Sequence, residues 1–271
     1  MTPTDILIFA GAGLFAGILA GFLGIGGGTV LVPLLVALGR TPLQSVATSS
    51  LSIVITAISG SVQNWRMGYF SFKRVVGIGF PAIVTAQIGA YLAELFSPYM
   101  LLAAFGLLLL LNIYLVEVRK RLTTREQQNL QEAAGETPTQ DSGLKATVSR
   151  LFTGGTAGVL AGVFGVGGGV IMVPLQILLL GERIKTAIQT SLGVIVITAI
   201  SATVGHAFRG NVLWAEGLLL GTGGLLGAQI STRILPKLPD HVVSLAFRSL
   251  LGILSIYVFW QAWQSYNGVK V

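Results

Sequence analysis

Apolar residues run along this chain in long blocks separated by short polar turns, and the blocks fall into two matching sets. The first block extends from about 6 to 38 and is interrupted once, at Gly26-Gly27-Gly28. As one continuous helix it would be about 50 Å long, well beyond the ~30 Å hydrocarbon core of a bilayer. It is expected either to enter and return as a re-entrant hairpin or to cross twice with a short second helix. Both arrangements bring Arg40 back to the starting side. Further spans are expected at about 43–62, 75–95 and 100–118, followed by a polar stretch at 119–150 that is expected to be helical at its start and mobile around 135–143. The plan then repeats, with a broken block at about 151–180, interrupted at Gly167-Gly168-Gly169, and spans at about 186–204, 212–234 and 242–260.

The repetition extends to residue identity. GILAGFLGIGGGTVLVPLL at 17–35 and GVLAGVFGVGGGVIMVPLQ at 158–176 agree at 11 of 19 positions without a gap. Such self-similarity is a statement about architecture. At an offset of 141, Ser50-Leu51 is paired with Ser191-Leu192. At 142, after one inserted residue, Gly68 is paired with Gly210 and Ala86-Gln87-Ile88 with Ala228-Gln229-Ile230. The fold class expected is therefore an all-α polytopic membrane protein of two repeats, each a glycine-broken helical block plus three transmembrane helices. The units are 1–118, a cytoplasmic linker at 119–150, and 151–271.

Composition agrees: 53% of residues are hydrophobic and 10% charged, against about 25% charged in an average soluble domain. Cysteine is absent and only His206 and His241 are imidazoles, so disulfides and thiolate metal sites are excluded and no metal or cofactor is expected. The start, MTPTD, lacks the basic and small-residue pattern of a secretory signal, and the first block is read as retained. The net charge of +7 sits in loops, where it signals topology rather than nucleic acid. If each broken block returns to its own side, the two repeats are inverted, and 13 of the 17 Lys and Arg residues lie in the cytoplasm, with Arg40, Arg209 and Lys270 outside and Arg248 within a span. The location expected is the inner cell membrane, multi-pass.

The glycine breaks are the candidate site. Free N–H groups at the start of a half-helix carry partial positive charge, and glycine lets a ligand come close. Gly26, Gly27, Gly28 and Thr29 would form one anion-binding end, and Gly167, Gly168, Gly169 and Val170 the other. The alternative is that the glycines only permit a tight bend or close helix packing. Under the ligand reading, leucine at Gly27 or Gly168 is expected to abolish transport and leave the protein folded. Thr48, Ser49 and Ser50, with Gln189, Thr190 and Ser191 as counterparts, either donate to the anion or bond within their own helices. Gln87 and Gln229 contact the ligand or bridge helices. Asn64 and His206 correspond, and His206 is read as a hydrogen-bonded or solvated residue at an interface. The ten carboxylates fall at span ends or in polar segments. Exchanging Glu94, Glu117 or Glu216 singly for glutamine is thus expected to leave transport intact, and an anion path is favoured over a cation path. Neither a carboxylate pair nor a Ser-His-Asp set suggests an enzyme.

The paired glycine segments with their downstream V-P, each followed by TSSL at 48–51 or TSL at 190–192, resemble the sulfite exporter TauE/SafE family of membrane permeases. The resemblance covers both halves. It implies transport, usually export, of small sulfur-containing anions such as sulfite, sulfoacetate or related sulfonates. A non-sulfur carboxylate as substrate, or a scaffold that transports nothing, remains the alternative. The expected partners are the small anion and the lipid bilayer, not nucleic acid; oligomeric state is left open.

Overall fold

The computed structural model describes residues 3–24, 26–111, 113–114, 143–182, 184–234 and 240–267. Ten helices carry them: α1 (Pro3–Leu23), α2 (Gly28–Ala37), α3 (Pro42–Arg66), α4 (Phe72–Leu95) and α5 (Pro98–Leu111), then α6 (Gly143–Phe164), α7 (Gly169–Leu180), α8 (Ile184–Ala207), α9 (Trp214–Ile234) and α10 (Asp240–Tyr266). No strand occurs among the described residues. By length and composition α1, α3, α4 and α8 can each cross a membrane. The protein is an all-helical membrane protein. Most of the stretch from 119 to 150 lies outside the described residues. Its last eight residues, 143–150, form the first two turns of α6.

Local signals set several ends. Thr41 caps α3 in a reciprocal box: its hydroxyl accepts from Gln44 N at 3.2 Å and its own N–H donates to Gln44 Oε1 at 3.3 Å, with Pro42 opening the helix. The broken blocks are divided as expected. The 10 residues of α2 extend about 15 Å, half a hydrocarbon core. The inserted residue falls between Pro174 and Gly181: Gly39 and Gly181, both left-handed at φ +81° and +60°, end the half-helices at equivalent points. From there on, 142 is the offset.

The halves are units of sequence rather than of packing. The heaviest packing of α1 is on α9, and that of α6 is on α4; likewise α3 packs on α9 and α4 on α8, with α3 against α8 in the middle. Every one of these pairs maps onto its counterpart when the repeats are exchanged. Small residues allow the close approach. A Cβ at Gly13, Gly17 or Gly21 of α1 would collide with Leu220, Gly224 or Ser231 of α9, and one at Gly154, Gly158 or Gly162 of α6 with Ile78, Thr85 or Ala86 of α4. These contacts run in step, so α1 lies parallel to α9 and α6 parallel to α4. Helix α3 is the most buried of the candidate spans, with 78% of its apolar stretch inside against 39% for α4. Outward-facing Phe15, Phe80, Val84, Leu107, Leu226 and Ile256 are exposed, as suits contact with lipid, and Trp65, Tyr69, Trp214, Trp263 and Tyr266 stand near helix ends.

Candidate functional site

The two glycine breaks meet in the interior. A Cβ on Gly26 would lie 3.1 Å from Val166 O, 3.4 Å from Ile53 and 3.6 Å from Ile195; one on Gly167 would lie 2.9 Å from Ile195 and 3.2 Å from Ile53. Gly28 abuts the Gly165 carbonyl. Everything from Gly26 to Pro33 and from Gly165 to Val170 is buried, so the junction is closed to solvent. Gly27 and Gly168 cap α2 and α7 in left-handed conformations, φ +78° and +75°. At α2 the Gly27 carbonyl accepts from Val30 N and Leu31 N at 3.1 and 3.2 Å, and the amides of Gly28 and Thr29 meet no acceptor among the described residues. The Thr29 hydroxyl is fully buried and unpartnered. Val170, its counterpart in α7, has no polar side-chain atom.

Gly27 and Gly168 do not offer the open approach that the ligand reading required. A Cβ at Gly27 would stand 2.9 Å from Ala16 O, and one at Gly168 would collide with Ala157 O. Their glycine character serves backbone packing and the left-handed turn. The expectation of a folded leucine variant is therefore corrected.

The hydroxyl-bearing helices brace the junction across the repeats. Ser49 Oγ donates to Gly165 O at 2.8 Å, and Ser191 Oγ contacts Gly24 O at 3.0 Å and Ile188 O at 2.8 Å. The geometry thus pairs Ser191 with Ser49 and not with Ser50, because the inserted residue precedes α8. Ser50 bonds back to Val46 O in its own helix. Thr190 is buried beside Ser191, and Gln189 is half-buried. Thr48 Oγ1 accepts from Leu213 N at 3.1 Å. Sequence reasoning passed over Thr198, which bonds Gly167 O at 2.9 Å, and Ile53 and Ile195, which separate the breaks. Their signal was present: IVITAIS at 53–59 recurs unchanged at 195–201.

Gln87 and Gln229 lie away from the junction. Gln87 Nε2 donates to Ser201 O and Oγ at 2.6 and 3.0 Å, and Gln229 Nε2 to Ser59 O and Oγ at 3.3 and 3.1 Å. These are reciprocal bridges from α4 to α8 and from α9 to α3. His206, in the last turn of α8, is buried and hydrogen-bonded rather than solvated, with Nε2 2.9 Å from Gly162 O, and Asn64 is buried as well.

Among the described residues, three ion pairs tie helix ends together. Arg40 meets Glu216 at 2.7 Å, Arg74 meets Glu182 at 3.1 Å, and Arg209 meets Glu94 at 3.2 Å. The first two occupy equivalent places with their charges exchanged, since Arg40 corresponds to Glu182 and Glu216 to Arg74. Glu216 is 8% exposed, so replacing it by glutamine would take the charged partner from Arg40. Glu94 also accepts from Asn211 Nδ2 at 2.9 Å. Glu117 lies outside the described residues, as do the side chains of Arg248 and His241.

A family model described as Sulfite exporter TauE/SafE matches residues 9–258. The probable membrane transporter protein YunE of Bacillus subtilis is 26% identical over 95% of this chain and 98% of its own length. A probable membrane transporter protein of Xylella fastidiosa is 25% identical over 98% of this chain and 99% of its own. One from Methanocaldococcus jannaschii, MJ0441, is 22% identical over 91% and 92%. No solved structure matches.

Proposed function

This chain belongs to the sulfite exporter TauE/SafE family of membrane transporters, and on that premise we propose that it exports a small sulfur-containing anion, sulfite or a sulfonate, across the inner cell membrane. The sulfur chemistry rests on the family's description; the curated relatives are named only as probable membrane transporters. The observation that carries the anion reading is the α2 end. The amides of Gly28 and Thr29 and the fully buried Thr29 hydroxyl have no partner among the described residues, at a helix end whose dipole favours negative charge. Gly26, Gly167, Gly169 and Val170 complete the junction, with Ser49 and Ser191 holding its backbone in place.

The ion pairs support inverted insertion. If each broken block returns to its own side, Arg40, Glu216, Arg209 and Glu94 share the outer face, and Arg74 and Glu182 share the inner one. Were each block to cross once, every pair would have to join opposite faces. The short α2 favours a re-entrant hairpin. With the junction closed, the anion reaches it only after the helices on one side part, as in alternating access around a central site.

Purified protein in liposomes, offered sulfite, thiosulfate, sulfoacetate, sulfate and carboxylates, is the direct test. Flux of sulfite or a sulfonate is the expected result; carboxylate flux alone gives the substrate to the other class, and no flux at all leaves a scaffold. Thr29→Val keeps shape and burial but removes the donor, so the substrate's apparent affinity is expected to fall at least about tenfold, the worth of one hydrogen bond to a charged group. Topology is checked separately with single cysteines, since the chain has none of its own. Impermeant reagent should label positions 40 and 182 from opposite sides, and labelling from the same side sinks the inverted arrangement.

A further inference from the structure

An open, shallow groove of about 480 Å³ runs along α6, lined by Leu151, Phe152, Gly155, Thr156 and Leu160, with Thr85 of α4 at its edge. Its chemistry is apolar, because both hydroxyls are bound within their own helices: Thr85 Oγ1 donates to Pro81 O at 3.2 Å and Thr156 Oγ1 to Phe152 O at 2.8 Å. From 151 to 160 it follows α6 for about 14 Å, close to the depth of one leaflet's hydrocarbon. At one end stands Arg150, half-buried, its Cδ lying over Gly77 of α4, within 3.7 Å of where a Cβ would be. Arg150 meets no carboxylate among the described residues. Lys73, exposed, is one turn before Gly77 on the same face of α4.

The repeat provides an internal comparison. At the equivalent seam between α1 and α9, Leu14 and Phe15 replace Gly155 and Thr156, Phe9 replaces Arg150, and Ala215 replaces Lys73. The helix packing is retained in both copies, while the small residues at 155 and 156 and the basic residues at 150 and 73 have no equivalent at the other seam. We propose that this seam seats an anionic glycerophospholipid, with an acyl chain along α6 in the groove and the phosphate of the head group on Arg150 and Lys73. An apolar channel one leaflet deep with cationic side chains at a single end has the shape and charge of that molecule. A zwitterionic lipid fills the groove equally well and gains less from the rim. In the orientation proposed above, this is the cytoplasmic leaflet, where anionic lipid attracts basic residues.

The test is lipid retention. Protein extracted from bilayers of equal phosphatidylglycerol and phosphatidylcholine is stripped with detergent, and the lipid still bound is identified by mass spectrometry. Retention of phosphatidylglycerol over phosphatidylcholine by about 25-fold is expected, the worth of two basic residues near an anionic head group. Gly155→Leu copies Leu14 of the other seam and should bring the ratio close to one; Arg150→Gln removes one of the two head-group contacts and should lower it about fivefold. Thr156→Phe fills the groove from a half-buried position and serves if Gly155→Leu does not fold. No preference in the parent overturns the proposal, as does a ratio unchanged by filling the groove or by Arg150→Gln.

Discussion

Leucine in place of Gly168 is expected to keep the protein from reaching its folded state, not merely to block transport. Two costs act together there. The backbone is left-handed at φ +75°, a conformation worth about 1–2 kcal/mol against any residue with a Cβ. That Cβ would also collide with Ala157 O on the neighbouring helix, where backbone cannot give way as a flexible side chain can. A total of at least about 4 kcal/mol is expected, among the large effects of single substitutions. Gly39 and Gly210 supply the control, since both have positive φ and open space around the missing Cβ. Alanine there should cost only the conformational part, about 1 kcal/mol. Size-exclusion profiles and thermal unfolding in detergent distinguish the cases; a Gly168→Leu protein as stable as Gly39→Ala would remove the packing account of the break.

Arg40→Glu is expected to lower stability by about 2 kcal/mol, below the 3–5 of a fully buried broken pair because part of the arginine reaches solvent. Its side chain is 41% exposed, while that of Glu216 is 10% exposed and would be left facing a like charge. Adding Glu216→Arg should recover most of the loss. The protein already contains that reversed arrangement at the equivalent position, where Glu182 and Arg74 lie 3.1 Å apart. A double-mutant cycle by thermal unfolding measures the coupling. If the exchanged pair is no more stable than the single variant, the two ion pairs do not share one geometry. The same substitutions bear on function, because Arg40 follows directly on α2 and ties that half-helix to the start of α9.

Several features of this protein were legible in residue order alone. A helix of about 50 Å does not fit a 30 Å slab, so the triple glycines had to divide each long block, and the duplicated segment made the division a feature of both halves. Span positions followed from apolar length, and membrane residence from the scarcity of charge. Charge exchange at the ion pairs was not legible, since Arg40, just before α3, and Glu216, in the first turn of α9, are brought together by the packing of α3 on α9.

The role of the glycines lay beyond the sequence for a simple reason. A missing side chain looks the same whether a ligand or another backbone occupies the space, and only the position of Ala157 O decides between them at Gly168. Gln87 could equally have faced an anion or a helix; Ser201, more than a hundred residues away, settles that it bridges α4 to α8. The pairing of Ser191 with Ser49 turned on one inserted residue before α8, which local alignment of the serines could not locate but hydrogen bonds to Gly165 and Gly24 did. Local chemistry determined where this chain breaks and what solvent it inhabits. Tertiary structure decided which polar groups are satisfied, because their partners come from helices distant in sequence, and it left the buried Thr29 hydroxyl without a partner among the described residues.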